Sequence, residues 1–325
     1  MVKQRLIYTG IAVLVLLIVA AIPFLLEAQR AEGPDARVSA IDTFLRLRAA
    51  PTTQSEIRAE LLSAAPLTVL GKSADGEWLA VLTQDERLGW VAKSYVELNT
   101  DDGRLPVYAT GDVMLPEPRL RPSVVDNIRR IYAHGQTLGN DPDSFVKVGD
   151  SISASRNMLT PLAEGNYTLG EFERLQWVLD HYAQAQPNPL AQEPIAAGVG
   201  WAAFNALDAK STNNDACESD ETPLACAYRV HKPAIALIMF GSNDVGLVNV
   251  ESYRERLTDI ITYSLERGVI PVLSTFPIRV GYEQKSHAFN AVVIELGEQY
   301  ALPVWHYGGV MQSLPSGGLD GDGVH

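Results

Sequence analysis

Five short apolar runs alternate with helical segments in the second half of the chain, and this alternation constrains the fold more than any other feature. The runs cover residues 145–148, 194–199, 234–240, 269–274 and 303–306. Between them, Leu257, Ile260 and Ile261 share one face of a predicted helix, and residues 288–300 suit another. Continuous apolar strands are typical of a parallel sheet with helices on both faces. The pattern therefore predicts an α/β domain over residues 144–325.

Residues 38–98 show a different pattern, with shorter apolar stretches separated by turn residues. Candidate strands cover residues 43–48, 67–71, 77–83 and 88–92. Leu45 and Leu47 alternate with Arg46 and Arg48, as expected of a strand with one buried face. The region therefore predicts a small all-β unit.

Residues 99–143 form the predicted linker between these two regions. Its first part is rich in proline, which interrupts regular structure. A helix is expected over residues 123–138, because apolar residues fall on one face and Ser123 can cap the helix start.

The N-terminus carries a long apolar segment. Residues 6–26 contain no charged side chain, and Lys3 and Arg5 precede them. About 20 apolar residues span a bilayer, and the cations flanking such a segment stay in the cytoplasm. Residues 1–27 are therefore expected to form a transmembrane helix that anchors an extracytoplasmic domain in the cell membrane. A cleaved signal segment, followed by secretion, is the alternative.

Charge and cysteine content narrow the class of partner. A net charge of −13 disfavours nucleic acid, and no basic stripe interleaved with aromatic side chains occurs. Cys217 and Cys226 lie close together, and in an exported chain they are expected to form a disulfide. Two unpaired thiols are the alternative. Two cysteines without a His-Glu-x-x-His motif do not make a zinc site, so we expect no metal.

Residues with catalytic potential follow the apolar runs, where ligands bind in open α/β sheets. Ser151 follows the first run, and a serine becomes a nucleophile once a histidine accepts its proton. His325 is the expected base, and Asp322 is expected to orient its ring. Oxyanion donors are expected from the Ser151 amide, from the Asn243 side chain and from the Gly200 amide.

These residues lie in four blocks that resemble the SGNH, or GDSL-type, hydrolase family over residues 145–325. The blocks are Gly149-Asp150-Ser151, Gly200, Gly241-Ser242-Asn243-Asp244 and Asp322-x-x-His325. The resemblance implies a flavodoxin-like three-layer α/β/α sandwich with a parallel sheet. It also implies esterase or lipase-like activity without a metal or organic cofactor.

The sequence departs from the family pattern in two places. The second block lacks the asparagine that often precedes its glycine, which leaves Gly198 and Gly200 open as the backbone donor. Family members continue past the catalytic histidine with a loop and a closing helix, whereas this sequence stops at His325. We therefore expect the hydrolase domain to be incomplete at its C-terminus.

The all-β unit resembles bacterial SH3-like domains. The resemblance lies in residues 45–51, Val69-Leu70-Gly71, residues 76–81 and Gly89-Trp90-Val91. Such domains often bind cell-wall peptides, so the resemblance implies adhesion to the envelope. The alternative for Trp78 and Trp90 is that both are core residues of a small barrel.

The leading interpretation is an exported, membrane-anchored carboxylic ester hydrolase that forms an acyl-enzyme and acts on acetylated cell-wall or extracellular glycans. Its partners would be an ester or acetylated glycan substrate, a cell-wall peptide and the membrane, without nucleic acid. One alternative is a catalytically inactive adhesion or scaffold protein of the cell wall. Another is a serine acyltransferase, since an alcohol can replace water as the acyl acceptor.

Overall fold

The computed structural model describes residues 35–39, 43–99, 101–108, 120–312 and 314–325. The expected membrane anchor, residues 1–27, lies outside the described residues. Within the described ranges, no helix is long and apolar enough to cross a membrane.

Two compact units make up the described part of the chain. The first contains Leu120–Ser274 and Leu296–Val304. The second contains the described residues between 35 and 108 together with Thr275–Glu295 and Trp305–His325. The all-β region therefore forms one unit with two C-terminal segments. The sequence pattern instead predicts both segments as parts of the α/β domain of residues 144–325.

An antiparallel sheet in the second unit follows the order β3-β2-β6-β5-β4-β1-β7, and β8 pairs with β4 in parallel. The strands are β1 Ala36–Val38, β2 Leu45–Arg48, β3 Ile57–Leu61, β4 Pro66–Ser73, β5 Trp78–Thr83, β6 Leu88–Ala92, β7 Val96–Leu98 and β8 Val107–Tyr108. All four predicted strands are present. Strands β1, β7 and β8 were not predicted because each has only two or three residues, and β3, in which only Leu61 is buried, was not predicted either.

The predicted alternation in β2 holds for its first three residues and ends at the fourth. Leu45 and Leu47 are buried and Arg46 is exposed, but Arg48 is also buried. The register with β3 shifts between Leu47 and Arg48, so a β-bulge turns this side chain inward. There its guanidinium donates to the Ser55 carbonyl at 2.8 Å, which satisfies the buried charge.

Trp90 belongs to the core of this sheet. Its side chain is 2% exposed and lies in a cluster with Leu70 and Ala80. Trp78 is partly buried and packs against the same cluster. The core interpretation of Trp90 thus agrees with its burial.

A second, parallel sheet has the strand order β10-β9-β11-β12-β13. Its strands are β9 Asp141–Gly149, β10 Ala196–Ala197, β11 Pro233–Met239, β12 Ile270–Ser274 and β13 Val304–Trp305. The pairs β10–β9, β9–β11 and β11–β12 are parallel. In chain order the strands lie as 2-1-3-4-5, which is the order of flavodoxin-like folds. Each of these strands overlaps one of the five predicted apolar runs.

Helices follow or connect these strands. They are α1 Pro122–Leu138, α2 Ser151–Ala154, α3 Thr160–Ala163, α4 Gln176–Ala183, α5 Pro223–His231, α6 Asp244–Leu247, α7 Val250–Glu266, α8 Glu283–Gln299 and α9 Tyr307–Met311. In α7, the predicted apolar face is buried at Leu257, Ile260 and Ile261. Helix α8 begins five residues before the predicted segment 288–300.

The predicted cap of α1 was wrong. Pro122 occupies the first turn and Arg121 is the N-cap residue, without a side-chain hydrogen bond. Proline is favoured at a helix start because its missing N–H would have no intrahelical partner there. Ser123 therefore lies inside the first turn.

Candidate active site

Three neighbouring strands of the first unit end at the same edge of the parallel sheet. Gly149 of β9 is in register with Ala197 of β10 and with Met239 of β11. The residues that follow these three positions therefore leave the sheet side by side. Three of the four predicted sequence blocks begin at these strand ends.

Ser151 is the first residue of α2, immediately after β9. Asp150 is fully buried and is the N-cap residue, with its Oδ1 accepting the Ile152 amide at 2.9 Å. A Cβ on Gly149 would overlap the Ser153 hydroxyl and the Met239 carbonyl oxygen. Glycine at 149 thus permits the tight turn that presents the half-buried Ser151 at the sheet edge.

Gly198 and Gly200, both candidates for the backbone donor, differ in their hydrogen bonds. The Gly198 amide donates to the Gly149 carbonyl at 3.2 Å and continues the pairing of β10 with β9. Gly200 is exposed, has a φ of +76°, and its amide donates to no residue in the described ranges. Because an oxyanion donor needs an N–H that is not already used, this difference favours Gly200.

Asn243 follows β11 by four residues and is hydrogen-bonded to the Gly200 segment. Its Nδ2 donates to the Trp201 carbonyl at 2.9 Å. Although Asn243 is the N-cap residue of α6, its side chain does not cap the helix. A primary amide has two N–H groups, so one remains for a ligand while the other fixes the side chain.

Asp244, the residue after Asn243, is a buried carboxylic acid. Its side chain is 1% exposed, and its Oδ1 accepts the Ala203 amide at 2.9 Å. No described residue hydrogen-bonds its Oδ2. Burial raises the pKa of Asp244 to about 6, and the nearby Asp150 charge adds to this effect. Asp244 thus joins α6 to the segment that follows Gly200.

Asp322 and His325 form a hydrogen-bonded pair in the second unit, as their spacing predicted. Asp322 Oδ2 lies 2.5 Å from His325 Nδ1, and Oδ1 accepts the amides of Val324 and His325 at 2.9 Å each. These hydrogen bonds hold the pKa of Asp322 well below its usual value. A carboxylate only accepts, so Nδ1 is the donor and the basic lone pair of the neutral ring is on Nε2.

The other five histidines have partners outside the four blocks. These partners are the Glu266 carbonyl for His134, Asp143 for His181, Gln192 for His231, the Asp85 carbonyl for His287 and Glu86 for His306. The pair of His306 with Glu86 was missed from the sequence. Its members are 220 positions apart, so no local pattern connects them.

The two cysteines form the expected disulfide. Among the described residues, they also make up, with Glu221, the group closest to a metal-binding arrangement. Both sulfur atoms are already bonded to each other, so this group cannot supply two thiolate ligands.

A cavity of about 500 Å³ lies in the first unit at the amino end of β9. It is lined by Asp141, Asp143, Ser144, residues 184–187 and residues 230–232. Ser151 follows the opposite, carboxyl end of the same strand, so this cavity is separate from the candidate site.

A family model covers most of the all-β region. The family model described as Bacterial SH3 domain matches residues 43–97. The SH3 resemblance expected from the sequence is confirmed. No curated protein matches the sequence.

Solved structures similar to this chain include several ester hydrolases. A lipase/acylhydrolase from Enterococcus faecalis is 21% identical, with 56% of this chain and 85% of that chain covered and a TM-score of 0.39. An acetyl xylan esterase from Geobacillus stearothermophilus is 17% identical, with 56% and 85% covered and a TM-score of 0.38. AlinE4, described as an SGNH-hydrolase family esterase, is 16% identical, with 56% and 84% covered and a TM-score of 0.33.

Proposed function

We propose that this protein is a serine carboxylic ester hydrolase that acts through an acyl-enzyme. The observation that carries the proposal is the register of β9, β10 and β11, whose carboxyl ends bear Ser151, the Gly200 segment and Asn243. The hydrogen-bonded Asp322–His325 pair supports it, because a serine hydroxyl needs a base to become nucleophilic.

In the proposed reaction, Ser151 Oγ attacks the ester carbonyl carbon while its proton passes to Nε2 of His325. The carbonyl oxygen becomes an oxyanion, which collapses as the C–O bond to the alcohol breaks. The departing alkoxide takes the proton from His325, and an acyl-serine remains. Water then repeats the sequence with His325 as base, and release of the acid restores Ser151.

The oxyanion would be held by the amides of Ser151 and Gly200 and by the Asn243 side chain. Loss of one such donor commonly lowers kcat about a hundredfold to a thousandfold. The bond of Asn243 to the Trp201 carbonyl supports this assignment, because it fixes one donor relative to the segment that carries another.

We further propose that the enzyme is held at the cell membrane, faces the outside, and removes acyl groups from cell-wall or extracellular glycans. The uncharged residues 6–26 support anchoring, and the Cys217–Cys226 disulfide supports an oxidising compartment. The SH3 match at residues 43–97 supports a wall-associated substrate. Protease treatment of intact cells should digest the protein; protection that persists until the cells are lysed would contradict this location.

Hydrolysis of p-nitrophenyl acetate by the wild type and by Ser151→Ala tests the enzymatic proposal. We expect kcat/KM to fall at least a thousandfold, because the variant has no nucleophile. Ser144→Ala is the matched control, since it removes a half-buried hydroxyl from β9 at the other end of the strand. Equal rates for the wild type and Ser151→Ala would exclude the serine mechanism. Transfer of the acetyl group from p-nitrophenyl acetate to a hydroxyl of an added glycan would identify a transferase instead.

A further inference from the structure

The turn between β5 and β6 of the SH3-like sheet, residues 83–87, has an unusual conformation. The Glu86 amide donates to the Thr83 carbonyl at 3.0 Å, and the Arg87 amide donates to Thr83 Oγ1 at 2.8 Å. Glu86 has a φ of +58°, although it is not glycine, and its side chain is fully buried. A strained backbone and a buried carboxyl group persist only where surrounding contacts hold them.

Contacts at one side of the turn are with α9. The Glu86 Oε1 atom hydrogen-bonds Nδ1 of His306, the N-cap residue of α9. Gln312, the C-cap residue of the same helix, donates its Nε2 to the Glu86 carbonyl. Gln312 Oε1 also accepts the Leu88 amide at 3.3 Å. The turn therefore contacts both ends of α9.

The other side of the turn contacts α8. The Asp85 carbonyl lies 3.0 Å from Nδ1 of His287, a side chain that is 9% exposed. Because Asp85 and Glu86 are adjacent, one turn connects the first part of α8 with both ends of α9.

The loop that carries Asp322 and His325 is hydrogen-bonded to the segment that precedes α8, and it follows α9 in the chain. On the α8 side, the Val280 amide donates to the Gly323 carbonyl at 3.1 Å. Ser286, next to His287, accepts the Arg279 amide through its Oγ at 3.2 Å. On the α9 side, the Leu314 amide donates to the Met311 carbonyl at 3.0 Å as the chain leaves the helix.

We propose that Glu86 is a positioning residue for the Asp322–His325 pair. By joining α8 to α9, the SH3-like turn would fix both the segment that is hydrogen-bonded to the loop of the base and the helix from which the chain continues towards that loop. The SH3-like domain is then a structural part of the catalytic machinery as well as a wall-binding module. This inference rests on the proposed esterase function.

The test measures kcat and KM for p-nitrophenyl acetate with the full chain carrying Glu86→Leu or Glu86→Gln. Leucine removes the acceptor of the His306 Nδ1 bond, and we expect kcat to fall about tenfold with KM unchanged within twofold. Glutamine keeps an Oε1 acceptor at the same position, and we expect it to retain at least a third of wild-type kcat. A kcat of Glu86→Leu within twofold of the wild type would overturn the proposal.

Val38→Ala is the control for simple destabilisation, since Val38 is buried in β1 and outside the turn. It should lower the melting temperature without changing kcat at a temperature where it is folded. If Val38→Ala lost as much kcat as Glu86→Leu, the effect of Glu86→Leu would be explained by lower stability, and the proposal would be overturned.

Gln312→Ala provides a second variant if Glu86→Leu does not fold. It removes the two hydrogen bonds to the turn from a partly exposed side chain, and we expect kcat to fall about threefold. Unchanged kcat in this variant would contradict a positioning role. Ser151→Ala is assayed in the same experiment. If Ser151→Ala is as active as the wild type, the esterase proposal fails. If Ser151→Ala is inactive but the Glu86 variants have wild-type kcat, only the positioning role is refuted.

Discussion

Asp244 lies beside a proposed oxyanion donor and Asp322 beside the proposed base. Their surroundings shift their pKa values in opposite directions. Asp244 follows Asn243, the proposed oxyanion donor, and burial raises the pKa of Asp244 to about 6. Asp322 holds the proposed base, and hydrogen bonds lower its pKa. An aspartate thus lies beside the proposed donors with a raised pKa and beside the proposed base with a lowered pKa.

Access to water explains this difference. Asp244 is 1% exposed, and its carboxyl group accepts the Ala203 amide and a hydrogen bond from the Gly241 backbone. The Asp322 side chain is 51% exposed and accepts two amides and a ring N–H. Loss of hydration therefore dominates at Asp244, whereas hydrogen bonds to the charged form dominate at Asp322.

The largest expected effect on kcat is that of replacing Asp322, the exposed member of the two aspartates. Asp322→Asn should lower kcat for p-nitrophenyl acetate by about a thousandfold to ten-thousandfold, because an amide can donate to Nδ1 and stabilise the wrong tautomer of His325. Asp320→Asn, an exposed acid in the same loop, is the control and should remain within twofold of the wild type. If kcat of Asp322→Asn fell less than tenfold, Asp322 would not be the residue that orients His325.

The positions of these residues were predictable to different degrees. The apolar runs predicted the five parallel strands, since a buried strand needs a continuous apolar stretch. The spacing of Asp322 and His325 predicted their pairing, because three residues suffice for a carboxylate to reach back to a ring. Burial of Asp244 was not predicted, because it depends on how Ala203 and the segment after β10 cover α6.

Contacts between distant segments were the hardest to predict. The pairing of Glu86 with His306 depends on a turn with positive φ at a glutamate, for which the sequence has no specific pattern. The choice between Gly198 and Gly200 also needed the structure, since only the extension of β10 shows which amide is already used.

The dependence of stability on pH should separate the two aspartates. The pKa of Asp244 is raised from 3.8 to about 6, so the wild type loses stability as pH rises between these values. Asp244→Asn does not ionise and should be more stable than the wild type above pH 6, by up to about 3 kcal/mol, with the gain vanishing near pH 4.

Asp322→Asn should show the opposite slope. The lowered pKa of Asp322 stabilises the folded wild type at neutral pH, and this contribution is lost as pH falls below the unfolded value of 3.8. The variant should therefore be less stable than the wild type at pH 7, with a gap that narrows on acidification. Urea unfolding at several pH values measures both slopes, and parallel curves for the two variants would contradict the comparison.

The smallest expected effect concerns the support of the oxyanion donors by Asp244. Asp244→Leu and Asp244→Asn are both uncharged and similar in size, but only asparagine keeps an oxygen that can accept the Ala203 amide. We expect leucine to lower kcat about tenfold, because the segment after Gly200 is no longer joined to α6, whereas asparagine should stay within threefold of the wild type. Steady-state kinetics at pH 7.5 on folded protein measures both. Equal kcat for the two variants would show that the hydrogen bond to Ala203 has no part in holding the donors, and that Asp244 affects stability alone.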